Sequence, residues 1–330
     1  MDRLIEGIKR HPVISFFVIT FLVSWGMFLF ALKIFPDDEL LQAPFVNIGA
    51  FAPALVSIAL SKAIEPGRRS GKSGRRSVAF FLSWLVAFVN LVFFASLMND
   101  LPIDIALVSV GAFLALLPAI VISAAFSKTA GVRRHLSTLF KPRGKPVWYV
   151  LALAGVPAVL FLGDVITENT GGTVPGPGYN LQGEGFFMGM GMIILVFLTH
   201  LVNSGGVAEE PGWRGFALRY MQEKCSPLAA GLTIGFLWGL WHVPVMLNQV
   251  KEFGPVLAAL QIITIGIVFT WFYNRTRGSL LAVALLHASW NAGVGFLPRT
   301  AAFHLMMTGI VAMMIFIDRM WQKIPRHEPA

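Results

Sequence analysis

Cysteine is nearly absent from this chain. Its 330 residues include one, Cys225, which excludes an intrachain disulfide, a thiolate metal cluster and a Cys-x-x-Cys redox motif. Charge is also scarce. Asp, Glu, Lys and Arg together make up 13%, against about 25% in soluble globular chains. Some catalytic signatures are missing too. There is no His-Glu-x-x-His, which removes the helix-borne zinc-peptidase signature. No Gly-x-Ser-Gly nucleophile falls in an apolar stretch, and Asp164 is the only plausible embedded aspartate. Serine and aspartyl intramembrane chemistry are therefore disfavoured. No internal repeat is visible, which argues against a secondary transporter.

What the chain has is apolar length. Hydrophobic residues are 56% and the mean hydropathy is +0.70. Runs of about 20 apolar residues, enough to cross a bilayer, recur from end to end. They are continuous and do not alternate, which excludes a β-barrel. The expected fold is all-α, a polytopic transmembrane helical bundle of about 8–10 spanning helices with its site inside the bundle. Spans are predicted near 13–35, 45–61, 78–98, 105–126, 147–165, 186–204, 227–247, 255–273, 279–296 and 301–317. The stretch Val13–Phe35 is too long for a signal-peptide core and reads as the first span. Pro53 predicts a kinked or tilted second span. Residues 1–146 read as N-terminal transmembrane helices with basic loops, and 147–330 as a core that carries the motifs.

The loops alternate in charge. All of the 26 lysines and arginines except Lys33, Lys251 and Arg299 fall, on this reading, in one set of connections. That set includes Lys62 to Arg76, Ser127 to Lys145, the 205–226 region, Asn274 to Gly278 and both termini. The other set holds Asp37, Asp38, Glu39, Asp100, Asp104, Glu252 and the Gly/Pro-rich loop Gly171 to Gly185. Positive loops stay on the cytoplasmic side. The expectation is an integral protein of the cytoplasmic (plasma) membrane with both termini cytoplasmic. The net charge of +9 is then explained by basic loops lying on anionic lipid headgroups, not by nucleic acid. The Gly/Pro-rich loop reads as an irregular connector.

Ionisable residues in a membrane span are costly and mark function by default. Those in or beside spans are Asp164, His200, Glu209, Glu210, Arg214, His242, His287 and His304, with the embedded amides Asn90 and Asn291. Helical spacing sorts them. Glu210 and Arg214 are an i, i+4 pair that can neutralise itself and leave Glu209 for other work. His287 and Asn291 are a second such pair. His242 shares a face with Trp238. A carboxylate and a histidine can hold and deprotonate water, and a second histidine with an amide can donate to an oxyanion. Two histidines and a carboxylate are equally a zinc-ligand type. His200 and His304 read as packing or hydrogen-bonded histidines, and Asn90 as an interhelical hydrogen bond. Pro211 predicts a helix that begins near Ala208, with both glutamates at its positive end.

Three ordered segments carry a resemblance: Glu209-Glu-Pro-Gly-Trp-Arg214, Trp238-Gly-Leu-Trp-His242 and His287-Ala-Ser-Trp-Asn291. They resemble the motifs of the CPBP (ABI) family, the intramembrane proteases related to type II CAAX prenyl endopeptidases. The motif span is about 85 residues. Trp238 stands where the family usually has Phe, and Pro211-Gly212 where many members have an aliphatic pair. The resemblance implies an intramembrane peptidase in which Glu209 activates water and Glu210 with Arg214 braces the site. His242 would hold the water or a metal, and His287 and Asn291 would stabilise the oxyanion. In a metal-dependent version Glu209, His242 and His287 would bind zinc or another divalent ion; a metal-free mechanism is equally compatible. The implied partners are membrane lipids and a protein or peptide substrate, with access expected from the cytoplasmic side. The alternative on the same fold is a non-catalytic scaffold or a bacteriocin-immunity-type protein. Oligomeric state is not legible.

Overall fold

In the computed structural model, residues 2–67, 74–181, 184–246 and 255–324 are described, without the side chains of 2–4 and 255–260. Arg68, Arg69 and Lys72 of the first basic loop, Lys251, Glu252 and Arg326 lie outside these residues, and so does position 247 at the end of one expected span. The described residues are helical, with no strand among them.

The helices are α1 (Asp2–Arg10), α2 (Pro12–Ile34), α3 (Glu39–Ile64), α4 (Gly74–Met98), α5 (Ile105–Leu114), α6 (Leu116–Ala124) and α7 (Ala130–Leu136). Then come α8 (Val147–Asn169), α9 (Phe186–Leu198), α10 (Gly205–Glu210) and α11 (Arg219–Gln222). The last four are α12 (Pro227–His242), α13 (Pro255–Arg275), α14 (Leu280–Phe296) and α15 (Ala301–Ile317). Among the described residues, 6 helical runs are long and apolar enough to cross a membrane, and Leu280–Phe296 and Ala301–Ile317 are shorter apolar helices. The polytopic helical bundle expected from composition is the fold observed.

Helix starts follow ordinary capping chemistry. Side chains of Asp38, Asp104, Ser226, Ser279 and Thr300 accept the backbone N–H three residues on, satisfying donors a helix leaves open. Polarity is inverted relative to a soluble protein. Phe187 is 89% exposed and Ile105 86%, whereas Arg214 and Glu210 are 0% exposed. Apolar side chains face lipid, and polar ones are kept for helix–helix contacts. Lipid is as apolar as leucine, so close packing and hydrogen bonds must hold the helices together.

Two devices do this around the site. On α12, Gly231, Gly235 and Gly239 recur every four residues and face α13. A Cβ on Gly235 would lie 2.9 Å from the Ile263 Cα, and one on Gly266 would lie 2.7 Å from the Gly235 Cα. This small-residue seam lets the two backbones approach closely. Behind the site, α2 supplies Phe16 and Phe28. Phe16 meets Trp213 edge-on at 5.4 Å, Trp213 meets Trp241 at 5.7 Å, and Phe28 meets Trp241 at 5.5 Å. One aromatic cluster thus joins the N-terminal helices to the motif-bearing ones.

Candidate active site

The run from Phe186 to Gln222 is 37 residues long and apolar, well beyond the expected span of 186–204. It is helical throughout except at Ser204, where the backbone breaks (φ −144, ψ −132). Two π-helical segments, Thr199–Asn203 and Pro211–Leu218, flank the short α10. Such bulges occur mostly as single turns and often at functional sites. The prediction that a helix begins near Ala208 is corrected. Alpha10 begins at Gly205, and Glu209 and Glu210 are its last two residues, so they do not sit at a positive N-terminal end. Pro211 lacks an N–H and crowds the preceding turn; the widened π segment that it opens accommodates it.

Each π segment has an outside anchor. Asn90 on α4 serves the first. Its Oδ1 accepts from Thr199 Oγ1 (2.9 Å) and Asn203 Nδ2 (2.7 Å), and its Nδ2 donates to the Leu195 carbonyl (3.1 Å). The interhelical role expected of Asn90 is observed. The second segment rests on α3 and α7. A Cβ on Gly212 would lie 2.6 Å from the Pro53 backbone, so only glycine fits there. Alpha3 itself runs 26 residues past both Pro44 and Pro53, longer than the span expected. His135 of α7 is buried, with Nε2 2.9 Å from Ser57 Oγ, and it hydrogen-bonds the Gly215 backbone. Burial, aided by the charge of Arg219, pushes its pKa down from 6.5 to about 3. Sequence reading placed 127–145 as a surface loop and missed this residue. The available signal was Val132, His135 and Leu136 at i, i+3, i+4, all buried.

The i, i+4 pairing of Glu210 with Arg214 that their spacing suggested is present. Glu210 Oε1 accepts from Arg214 Nη1 at 3.0 Å and from His287 Nδ1 at 2.6 Å. The Arg214 guanidinium lies over two aromatic faces, 4.9 Å from the centre of Trp238 and 4.7 Å from that of Phe269. Glu209 Oε2 accepts two indole N–H groups, from Trp238 (2.6 Å) and Trp213 (3.2 Å). Trp238 is thus more than an aromatic wall: the phenylalanine usual at that position has no N–H to donate. His242 Nδ1 lies 2.8 Å from the Trp238 carbonyl. Nδ1 must be the donor there, which leaves Nε2 with its lone pair. His287 packs so tightly on Gly205 that a Cβ at that position would overlap its Nε2.

Glu209, His242, His287 and Asn291 line one cavity of about 800 Å³, walled mainly by apolar groups such as Phe236, Ile262, Ile265, Phe269 and Trp290. Glu210 and Arg214 stand behind it. All six expected site residues therefore come together from α10, its following π segment, α12 and α14. His200 is hydrogen-bonded, as one reading of it expected, with Nδ1 3.1 Å from Ser204 Oγ; its place in the lining of the same cavity was not foreseen. His304 is exposed, edge-on to Phe303 and away from the cavity lining.

A metal would draw on Glu209, His242 and His287. Glu209 Oε2 accepts from two indoles and Nδ1 of both His242 and His287 is bonded, which leaves Glu209 Oε1 and the two Nε2 atoms as the remaining donors. Among the described residues no three His, Cys, Asp or Glu side chains are grouped so as to hold an ion. As arranged, these described side chains are not gathered around a common metal position.

Comparison with known proteins places a likeness on this stretch. Residues 186–293 match the family model described as type II CAAX prenyl endopeptidase Rce1-like. The chain is 27% identical over 176 residues to "CAAX prenyl protease 2" of Methanococcus maripaludis, covering 50% of this chain and 61% of that protein. The chain thus spans about three fifths of the length of this curated relative. The stretch matched by the family model contains all three motifs, so the likeness to a membrane protease family covers the cavity residues Glu209, His242, His287 and Asn291.

Proposed function

We propose that this chain is an intramembrane peptidase of the CPBP type that hydrolyses a peptide bond of a membrane-associated protein or peptide. The observation that carries this reading is the convergence of Glu209, His242, His287 and Asn291 on one apolar cavity, with a self-neutralising Glu210–Arg214 pair behind it. A water held between Glu209 Oε1 and His242 Nε2 gives a proton to the carboxylate and attacks the scissile carbonyl. The two indoles fix the Glu209 rotamer through Oε2 and leave Oε1 for the water. The Asn291 amide and a protonated His287 Nε2 donate to the developing oxyanion. His287 is oriented for that task by Nδ1–H on Glu210. The proton on Glu209 then passes to the leaving amine. The apolar lining suits a hydrophobic substrate segment; the relative's name adds a prenylated C-terminus as one form to try. The same reading puts the protein in the cytoplasmic membrane with both termini cytoplasmic.

The test compares purified wild type, Glu209→Gln and His242→Ala on prenylated and unmodified peptide libraries, with and without chelator. Wild type should cut, the variants should lose at least a hundredfold, and chelator should leave wild-type activity intact. Equal cleavage by all three proteins, or cleavage by none, removes the enzyme reading and favours the scaffold alternative. Loss of wild-type activity in chelator, restored by a divalent ion, would replace the metal-free mechanism.

A further inference from the structure

The cavity is one-sided. On α12 its lining begins at Gly235, and residues 227–234 contribute nothing. On α13 it ends at Phe269, and on α14 it begins at His287. From Glu209 it runs toward the C-terminal ends of α12 and α14 and the start of α13. Gly178, Tyr179 and Gly295 line it there. The Gly/Pro-rich loop is tied to this end, because Tyr179 N–H donates to the Gly295 carbonyl at 2.7 Å and its ring lies 5.3 Å from Phe296. In the other direction Trp213, Phe216, Leu218 and Ile234 are each at most 1% exposed and none of them lines the cavity.

The two ends of the bundle differ in charge. Hydrogen bonds knit the basic loops into one end: Ala130 N–H to the Gly67 carbonyl (2.7 Å), Arg143 Nη1 to the Arg277 carbonyl (3.3 Å), and Leu228 N–H to the Met320 carbonyl (2.9 Å). Lys128, Arg133, Lys141, Lys145, Arg277 and Lys323 belong to it. The opposite end, toward which the cavity runs, carries Asp37, Asp38, Asp100, Asp104, Glu168 and Glu184, against the two cations Lys33 and Arg299 among the described residues, Arg299 lining the cavity. Positive charge is retained on the cytoplasmic side of a membrane.

We infer that the cavity is entered from the extracytoplasmic face, so that the substrate is a segment presented on the outer side, such as part of an exported or membrane-anchored polypeptide. This reverses the cytoplasmic access expected from the motif positions in the sequence. The substrate class rests on the peptidase reading; the side of entry does not. The 178–179 turn is the mouth's rim, and a polypeptide reaching Glu209 passes it.

The single native cysteine makes a direct test simple. In a Cys225→Ala background, Gly178→Cys or Asn180→Cys marks the mouth and Lys141→Cys marks the basic end. Bacterial spheroplasts expressing each variant are treated with a membrane-impermeant maleimide, before and after permeabilisation. The expected result is labelling of a mouth cysteine in intact spheroplasts and of Lys141→Cys only after permeabilisation. The reverse pattern overturns the inference. Two mouth positions guard against a single substitution that disturbs the loop. A second arm gives sealed, right-side-out vesicles an impermeant peptide that the detergent-purified enzyme cuts; cleavage without permeabilisation is expected, and cleavage only after it overturns the inference. If the purified enzyme cuts nothing, the peptidase reading fails while the labelling result still decides the side.

Discussion

At the residue scale the two neighbouring carboxylates have different partners: an arginine and a histidine for Glu210, two indoles for Glu209. Glu210 is fully buried between Arg214 and His287. Removing one partner of a buried charge pair strands the other, at about 3–5 kcal/mol. Glu210→Ala should therefore lower thermal stability as well as activity, and a Glu210→Gln, Arg214→Met double variant should recover part of the stability but none of the activity. Unfolding midpoints and turnover on one substrate separate the two effects. Glu209 is held by two indoles, and Trp238 makes the shorter bond. Trp238→Phe keeps the ring wall and deletes the donor. It should cut kcat about tenfold or more with a smaller effect on KM, since a misplaced base costs transition-state contacts before binding. An unchanged kcat would show that Trp213 alone suffices. His200→Gln, at a histidine lining the same cavity, should reduce kcat at unchanged stability; an unaltered rate would return it to packing.

At the element scale the π segment Pro211–Leu218 decides where the glutamates point. Its fit depends on Gly212 against the Pro53 backbone. Backbone cannot yield as a flexible side chain can, so Gly212→Ala should destabilise by roughly 1–3 kcal/mol and lower activity, read by melting temperature and turnover. Alpha7 supports the same segment from outside the spans. His135 has a pKa of 6.5 when unfolded and about 3 when folded, so between these values the unfolded chain binds more protons. Stability is complete above about pH 6.5 and falls as pH drops toward 3, by up to about 1.4 kcal/mol per pH unit. His135→Gln should flatten that part of the pH–stability curve in detergent. An unchanged slope would place the acid sensitivity elsewhere.

At the scale of the whole molecule, lipid-facing apolar surface and an interior polar site follow from one cause, the absence of water to satisfy polar groups. Composition was enough to establish an all-α membrane bundle, because a chain with 13% charged residues and recurrent apolar runs has no other stable way to bury its backbone. The i, i+4 spacings also made the Glu210–Arg214 pair and the Trp238–His242 face legible, since helical geometry alone sets them. Spacing could not place His135 against Ser57, 78 positions away, nor His200 in the cavity of His242 and His287, because those neighbours lie on elements distant in sequence. Nor could it reveal that an indole of Trp238 reaches Glu209 across 29 positions. The depth of the glutamates was also beyond it. A proline after a carboxylate pair reads locally as a helix start, and only packing against Pro53 and His135 holds Pro211–Leu218 inside a continuing run. The sequence by itself determined the class of fold, the residue types of the site and which loops are basic. The tertiary structure alone decided which side chains meet and toward which end the cavity opens, because both depend on how helices far apart in the chain pack against one another.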